Sequence, residues 1–365
     1  MQKFLGLIIL LAVVAVAAGY FILDKGKGDP LGISSFSTPK EKISVVGKAG
    51  SEKMIFLQSE PVQKILAKHG LEVKAKKAGS IEMMQEAGAR QDFLWPASQI
   101  NLEFFNDNGG KILQSADVFN SPLVLYSWDI VTDALITAGI VEYRQGVNYV
   151  VDLTKLLSII IERQNWKAIG LQQLYGKIMI RTTDPTKSNS GNMFAALVAN
   201  TLNLGEVVTL DSVDEVLPRV KEFYGRLGHT EHSSAVLFNM FLQQGVGAYP
   251  IIVGYENQLV EYSLLHKEAL ELLRSKVRIL YPVPTVWASH PFIALNEKGK
   301  KLLAALKDPE IQQLAWETHG FRSGLMGVEN DPSVLEVVGL PKSIDAVMPT
   351  PNAKVMSKMI QELRF

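Results

Sequence analysis

Arg181-Thr182-Thr183-Asp184-Pro185-Thr186-Lys187-Ser188-Asn189-Ser190-Gly191-Asn192-Met193-Phe194 is the stretch whose reading decides the fold. An apolar run, Ile178-Met179-Ile180, leads into it, and a helical pattern from Met193 to Leu202 leads out. Between them lie hydroxyls, an Asn, an Asp-Pro turn and a Gly. A strand that ends in such a loop and then opens a helix aims backbone N–H groups and hydroxyls at one spot, which suits an anion or a polar ligand. An ordinary capped helix start, with Ser188 or Ser190 as N-cap, reads the same residues equally well.

The pattern repeats upstream. Ile43-Ser44-Val45-Val46-Gly47 is a short β run that stops at Ala49-Gly50-Ser51 before a helical pattern to His69. Glu72-Val73-Lys74-Ala75 stops at Ala78-Gly79-Ser80, and Asp92-Phe93-Leu94-Trp95 stops at Pro96-Ala97-Ser98, each ahead of another helix. Such βα alternation builds sheets with parallel strands, and ligands bind such sheets at the carboxyl ends of the strands, where these serines fall. Downstream, Ser121 to Asp129 is strongly β with a polar tail, and Ser212 to Leu227 and Ser233 to Gln244 read as amphipathic helices. Val246 to Val253 reads as a strand, and Gly254-Tyr255-Glu256 opens a helix.

Bulk properties bound the function. The 365 residues are 47% hydrophobic, enough for a sizeable core in two lobes. Lys+Arg and Asp+Glu balance at 37 each, so no charge field points to nucleic acid. Cysteine is absent, which removes disulfides, thiolate metal sites, cysteine nucleophiles and a lipidated cysteine. Phe4 to Leu23 carries no charge and is long enough to span a bilayer, so residues 1–23 read as a transmembrane signal anchor. A cleaved signal with its site at Ala15-Val16-Ala17 is the rival reading. Residues 24–42 are a Gly-, Pro- and Ser-rich tether. The body is then expected outside the inner (cytoplasmic) membrane, in the periplasm or extracellular space.

In order, Gly50-Ser51, Ala78-Gly79-Ser80, the chain crossing at Pro122 to Ser127, the loop Thr183 to Gly191, Tyr249 to Val253 with Gly254-Tyr255-Glu256, and the closing Leu306 to Gln312 with His319-Gly320-Phe321-Arg322 resemble extracellular solute-binding proteins of ABC importers. The resemblance is to the type II, two-lobed class, closest in style to binders of phosphate- or molybdate-like oxyanions. It implies an α/β fold in which each lobe is a mixed, mostly parallel sheet flanked by helices. Lobe one takes 43–125 with 255–350, lobe two takes 126–254, and 351–365 is a C-terminal helix. It also implies hinge closure on a ligand between the lobes. Ser51 and Ser80 would then serve from lobe one, and Thr183, Ser188, Ser190 and the Gly191 amide from lobe two. Trp95 and Tyr255 would line the pocket of an organic ligand. Glu256 reads as a cap residue, Trp128 as core or hinge packing, and Arg181 as a strand-end arginine in a surface ion pair.

His229-Thr230-Glu231-His232 has metal-like spacing but no third ligand nearby, so no metal or other cofactor is expected. No nucleophile elbow, P-loop or paired carboxylates argue for an enzyme. The porphyrin-pathway deaminase of similar fold needs a cysteine. The expectation is membrane-tethered capture of a small polar solute, an inorganic oxyanion first, for an ABC permease or a sensor. The alternatives are an accessory protein that binds a membrane partner with the same fold, or a binder of an organic or metal ligand.

Overall fold

β1 (Ile43–Ala49) is the first strand of the computed structural model, which describes residues 42–85, 91–344 and 346–364. It pairs in parallel with β2 (Leu71–Lys77) on one side and β3 (Phe93–Trp95) on the other. Parallel neighbours need crossovers. The helix Glu60–Lys68 supplies the first of them and buries Val62, Ile65 and Leu66, the i, i+3, i+4 stripe of an amphipathic helix. β4 (Gln114–Asp117) and β11 (Pro291–Ala294) complete this sheet in antiparallel fashion, giving the order β2-β1-β3-β11-β4.

Val118 alone separates β4 from β5 (Phe119–Trp128), and β5 belongs to the other sheet. The chain therefore passes between sheets at 117–119, ahead of the Pro122–Ser127 run. It returns through Ser289 and His290, between β10 (Trp287–Ala288) and β11. β5 is buried from Ser121 to Ser127 without alternation, the mark of a central strand. Its first half pairs with β10 and with β12 (Arg322–Ser323). Its second half lies between β8 (Ile251–Tyr255) and β9 (Val277–Pro282), antiparallel to both. β7 (Asn148–Val151) runs parallel to β9, and β6 (Val141–Arg144) antiparallel to β7.

The α/β architecture with two mixed sheets is the expected one, although the second sheet is chiefly antiparallel. The division at residue 255 is not where the sheets divide. β9 and β10 lie after it yet pair with β5, because β8 covers only one edge of an apolar strand whose other edge also needs a partner. The helix Ala353–Glu362 likewise puts Val355, Met356 and Met359 into the same core as Phe194 and Val220. The helix begun at Ser234 runs to Ala248 across a kink at Gly245 (φ 73°), so the following strand starts at Ile251 instead of Val246. Among the described residues no helix is long and apolar enough to cross a membrane. The expected anchor Phe4–Leu23 and the tether up to residue 41 lie outside the described residues.

Candidate functional site

The stretch 181–194 joins the second sheet by a single-residue bridge. The Arg181 amide donates to Ile251 O at 2.8 Å, and Val253 N donates back to Arg181 O at 2.9 Å. Thr183 then bridges Glu231, which brings the 229–234 loop alongside. Asp184 closes the turn by accepting from the Thr186 amide at 2.8 Å and hydroxyl at 2.7 Å. Burial works against its charge, but the Thr186 bonds and Lys187 hold the carboxyl below its ordinary range. From Asn189 to Leu202 the chain is a helix buried nearly all round. At Gly191 a Cβ would overlap the Thr183 carbonyl, so only glycine lets loop and helix approach this closely.

Thr183 Oγ1 lies 2.8 Å from Ser190 Oγ, which lies 3.1 Å from Ser188 Oγ. Thr183 and Ser190 are buried, so with Gly191 they form a layer behind the rim that fixes the loop to its helix. Ser188 stands at the rim. It is the N-cap residue by position, yet its side chain makes no cap hydrogen bond, and the same holds for Ser233 ahead of the helix Ser234–Ala248. Ser233 Oγ is buried and has no partner among the described residues. Beside them the Tyr255 hydroxyl accepts from Asn189 Nδ2 at 3.0 Å. Burial, and then the charge of Glu52, raise its pKa and keep it a neutral phenol.

Opposite, at the carboxyl ends of β1 and β2, lie Gly50–Glu52 and Ala78–Ser80. Ser80 Oγ accepts from the Ala97 amide at 3.2 Å, locking two strand-end turns together. The Gly79 amide donates to Glu82 Oε2 at 3.1 Å. Glu52 is bonded from behind by Lys53, whose side chain is 0% exposed. Lys53 Nζ also reaches Pro96 O at 3.3 Å and His290 Nδ1 at 3.1 Å. Lysine can only donate, so His290 Nδ1 accepts and its proton sits on Nε2. Burial first, then the Lys53 charge, hold the His290 pKa well below its ordinary value; the ring is neutral.

These two faces enclose one cavity of about 420 Å³. Ser51, Ser80, Ser188 and Tyr255 all line it, two from each sheet's lobe. Trp95 does not. Its ring is fully buried among Phe56, Phe119 and Phe292, and its indole N–H donates to His290 O at 2.9 Å. An apolar three-residue strand at the centre of a sheet draws its aromatic into the core, away from the carboxyl-end loops. Sequence reasoning passed over Glu52, Glu82, Asn189, His232 and Ser233, which also line the cavity. Glu52 and Asn189 adjoin predicted residues, so the strand-end rule reaches them; the place of 232–234 depends on the bridge to Thr183. A larger hollow of about 650 Å³ lies behind the 184–187 loop, lined by the second lobe and the C-terminal Leu363 and Arg364, with no residue of the first sheet's lobe.

Two other expectations resolve differently. Glu256 does open its helix, but it is wholly buried and held by Arg322 in a two-pronged pair at 2.6 and 2.9 Å, with the Tyr281 hydroxyl donating at 2.6 Å. Arg181 spends its guanidinium on the Leu227 carbonyl at 3.0 Å. His229 faces Glu231 at 3.6 Å while His232 turns to the cavity, and no group of three His, Cys, Asp or Glu side chains converges among the described residues.

Two sheets joined by crossing strands, with a cleft at the strand ends of one and the helix starts of the other, are the fold of type II periplasmic solute-binding proteins. Among solved structures the chain is similar to a periplasmic thiamin binding protein, with a TM-score of 0.59 at 9% identity over 88% of this chain and 96% of that one. It is similar to iron-bound HitA from Pseudomonas aeruginosa, with a TM-score of 0.59 at 12% identity over 88% and 100%. It also resembles AfuA from Actinobacillus pleuropneumoniae with fructose-6-phosphate bound, with a TM-score of 0.55 at 14% identity over 87% and 97%. At these identities the likeness is one of fold. No family model and no curated protein sequence matches the chain.

Proposed function

We propose that this chain is an extracytoplasmic solute-binding protein, tethered to the cytoplasmic membrane by its N-terminal segment, that captures a small polar ligand for an ABC permease. One observation carries this reading. Ser51, Ser80, Ser188 and Tyr255, from opposite lobes, line a single cavity at the strand ends, where α/β sheets bind ligands. The residues behind the cavity are spent on one another, as in the Thr183–Ser190 contact, so the loops are preorganised for binding. The role is binding without turnover.

The ligand is anionic at the second lobe, where two helices of 14 and 15 residues start at serines that leave their own N-termini uncapped. A bare inorganic oxyanion is the weaker form of this reading. In the first lobe Glu82 already occupies the Gly79 amide, and a second carboxylate, Glu52, faces the same space. A cavity of about 420 Å³ is in the range of organic ligands.

Thermal unfolding of the full-length protein against phosphate, sulfate, molybdate, tungstate and a panel of small organic acids tests the reading. A ligand at one hundred times its Kd adds about 2.7 kcal/mol to stability. A panel in which nothing raises the melting temperature sinks it.

A further inference from the structure

The two walls of the cleft differ in chemical character, and the difference names a class of ligand; the inference rests on the cleft being a solute site. On the second lobe the wall donates. Ser188 and Ser233 open long helices without capping them, Lys187 stands at the rim, and the buried Ser233 hydroxyl has no partner among the described residues. A buried polar group left unsatisfied costs roughly 1–3 kcal/mol, and a bound anionic oxygen removes that cost.

On the first lobe the wall accepts. Carboxylates have no hydrogen to give. Glu52 is 10% exposed and is clamped through one oxygen by the buried Lys53, which fixes its direction. Glu82 is exposed and uses only Oε2 on the Gly79 amide. Among the described residues each has one oxygen with no partner, open to a donor from the ligand. Lys77, exposed at the end of β2, is the one cation among the described residues that lines this wall. An inorganic anion on the second lobe would leave both acceptors without a donor and most of the cavity unfilled.

We infer that the cleft takes a bipolar organic solute: an anionic group on the Ser188 and Ser233 helix starts, and a protonated amine on Glu52 and Glu82. Phosphate and carboxylate share the chemistry of the anionic end, and the test separates them.

The experiment is isothermal titration of the full-length protein with matched probes: phosphoethanolamine against glycerol 3-phosphate, β-alanine against propionate, and inorganic phosphate and ethanolamine as the separate ends. The expected result is that one bipolar probe binds about tenfold or more tighter than its amine-free match, the scale of one charge-assisted hydrogen bond. Glu82→Gln should cut that advantage to about threefold or less, as expected for loss of a charge contact at an exposed position. The double variant Glu52→Gln/Lys53→Met, which leaves no buried lysine unpaired, should do the same, and an undiminished advantage in both variants overturns the amine contact. Equal or tighter binding of glycerol 3-phosphate, propionate or inorganic phosphate overturns the bipolar ligand while solute binding stands. Binding of no probe overturns the bipolar ligand too; solute binding then falls only if the broader thermal panel is also silent.

Discussion

Removing Arg322 should expose how the fold holds the strand that carries Tyr255. Glu256 follows Tyr255 directly, is 0% exposed, and receives two bonds from the Arg322 guanidinium and one from the Tyr281 hydroxyl. The same guanidinium donates to Pro341 O at 2.7 Å and Lys342 O at 3.0 Å and lies over the Trp316 ring. In Arg322→Met the volume is roughly kept, but Glu256 faces the interior with one neutral donor. Breaking one partner out of such a buried pair costs roughly 3–5 kcal/mol, because the other charge is left in the interior without compensation. Urea unfolding followed by tryptophan fluorescence measures it. The double variant Arg322→Met/Glu256→Gln buries no charge and should recover roughly 2 kcal/mol or more of the loss. A deficit under about 1 kcal/mol, or a double variant no better than the single, refutes the argument.

His290 is held neutral, its folded pKa far below the 6.5 of the unfolded chain, so the stability it allows is lost as pH falls through 6.5. Relative to His290→Gln, the native protein should lose about 1.4 kcal/mol more between pH 7.5 and 5.5 in urea melts, and parallel profiles would show that the ring protonates in place. Gly191→Ala forces a methyl into the Thr183 carbonyl and should cost about 1–3 kcal/mol by the same melts; an unchanged midpoint would mean that the loop relaxes freely. Ser233→Ala removes a buried hydroxyl that bonds nothing among the described residues, so the free protein should be no less stable and up to about 1–3 kcal/mol more stable in urea melts. Binding of phosphoethanolamine in the calorimeter should weaken about two- to tenfold, and undiminished affinity would place the anion elsewhere.

What the sequence made legible is what short-range chemistry encodes. Each of β1, β2 and β3 is followed by small residues and a serine, and that punctuation is enough to locate the strand-end loops. The place of β9 beside β5 was not legible, because Leu280 meets Leu125 across 155 residues and nothing local distinguishes a strand of one sheet from a strand of the other. Gly245 shows a subtler failure: its positive φ bends the helix without ending it, so a residue that usually closes helices carried this one on to Ala248.

The site divides along the same line. Hydroxyls at strand ends announce themselves by type and position. Whether a serine caps its helix or leaves the N-terminus open is decided by a rotamer, and whether a glutamate beside it is spent or free depends on partners far along the chain. Glu256 and Glu52 illustrate both outcomes. Each begins a helical turn beside a residue that lines the cleft. Glu256 is fully consumed by Arg322 and Tyr281, so it contributes structure and no recognition. Glu52 is clamped from behind by Lys53 and still turns an edge to the cavity. A buried lysine there does more than neutralise a charge. It makes an acidic residue rigid at the floor of the cavity, and on the proposed reading that carboxylate would meet the amine of a ligand whose anionic end rests on the opposite helix starts.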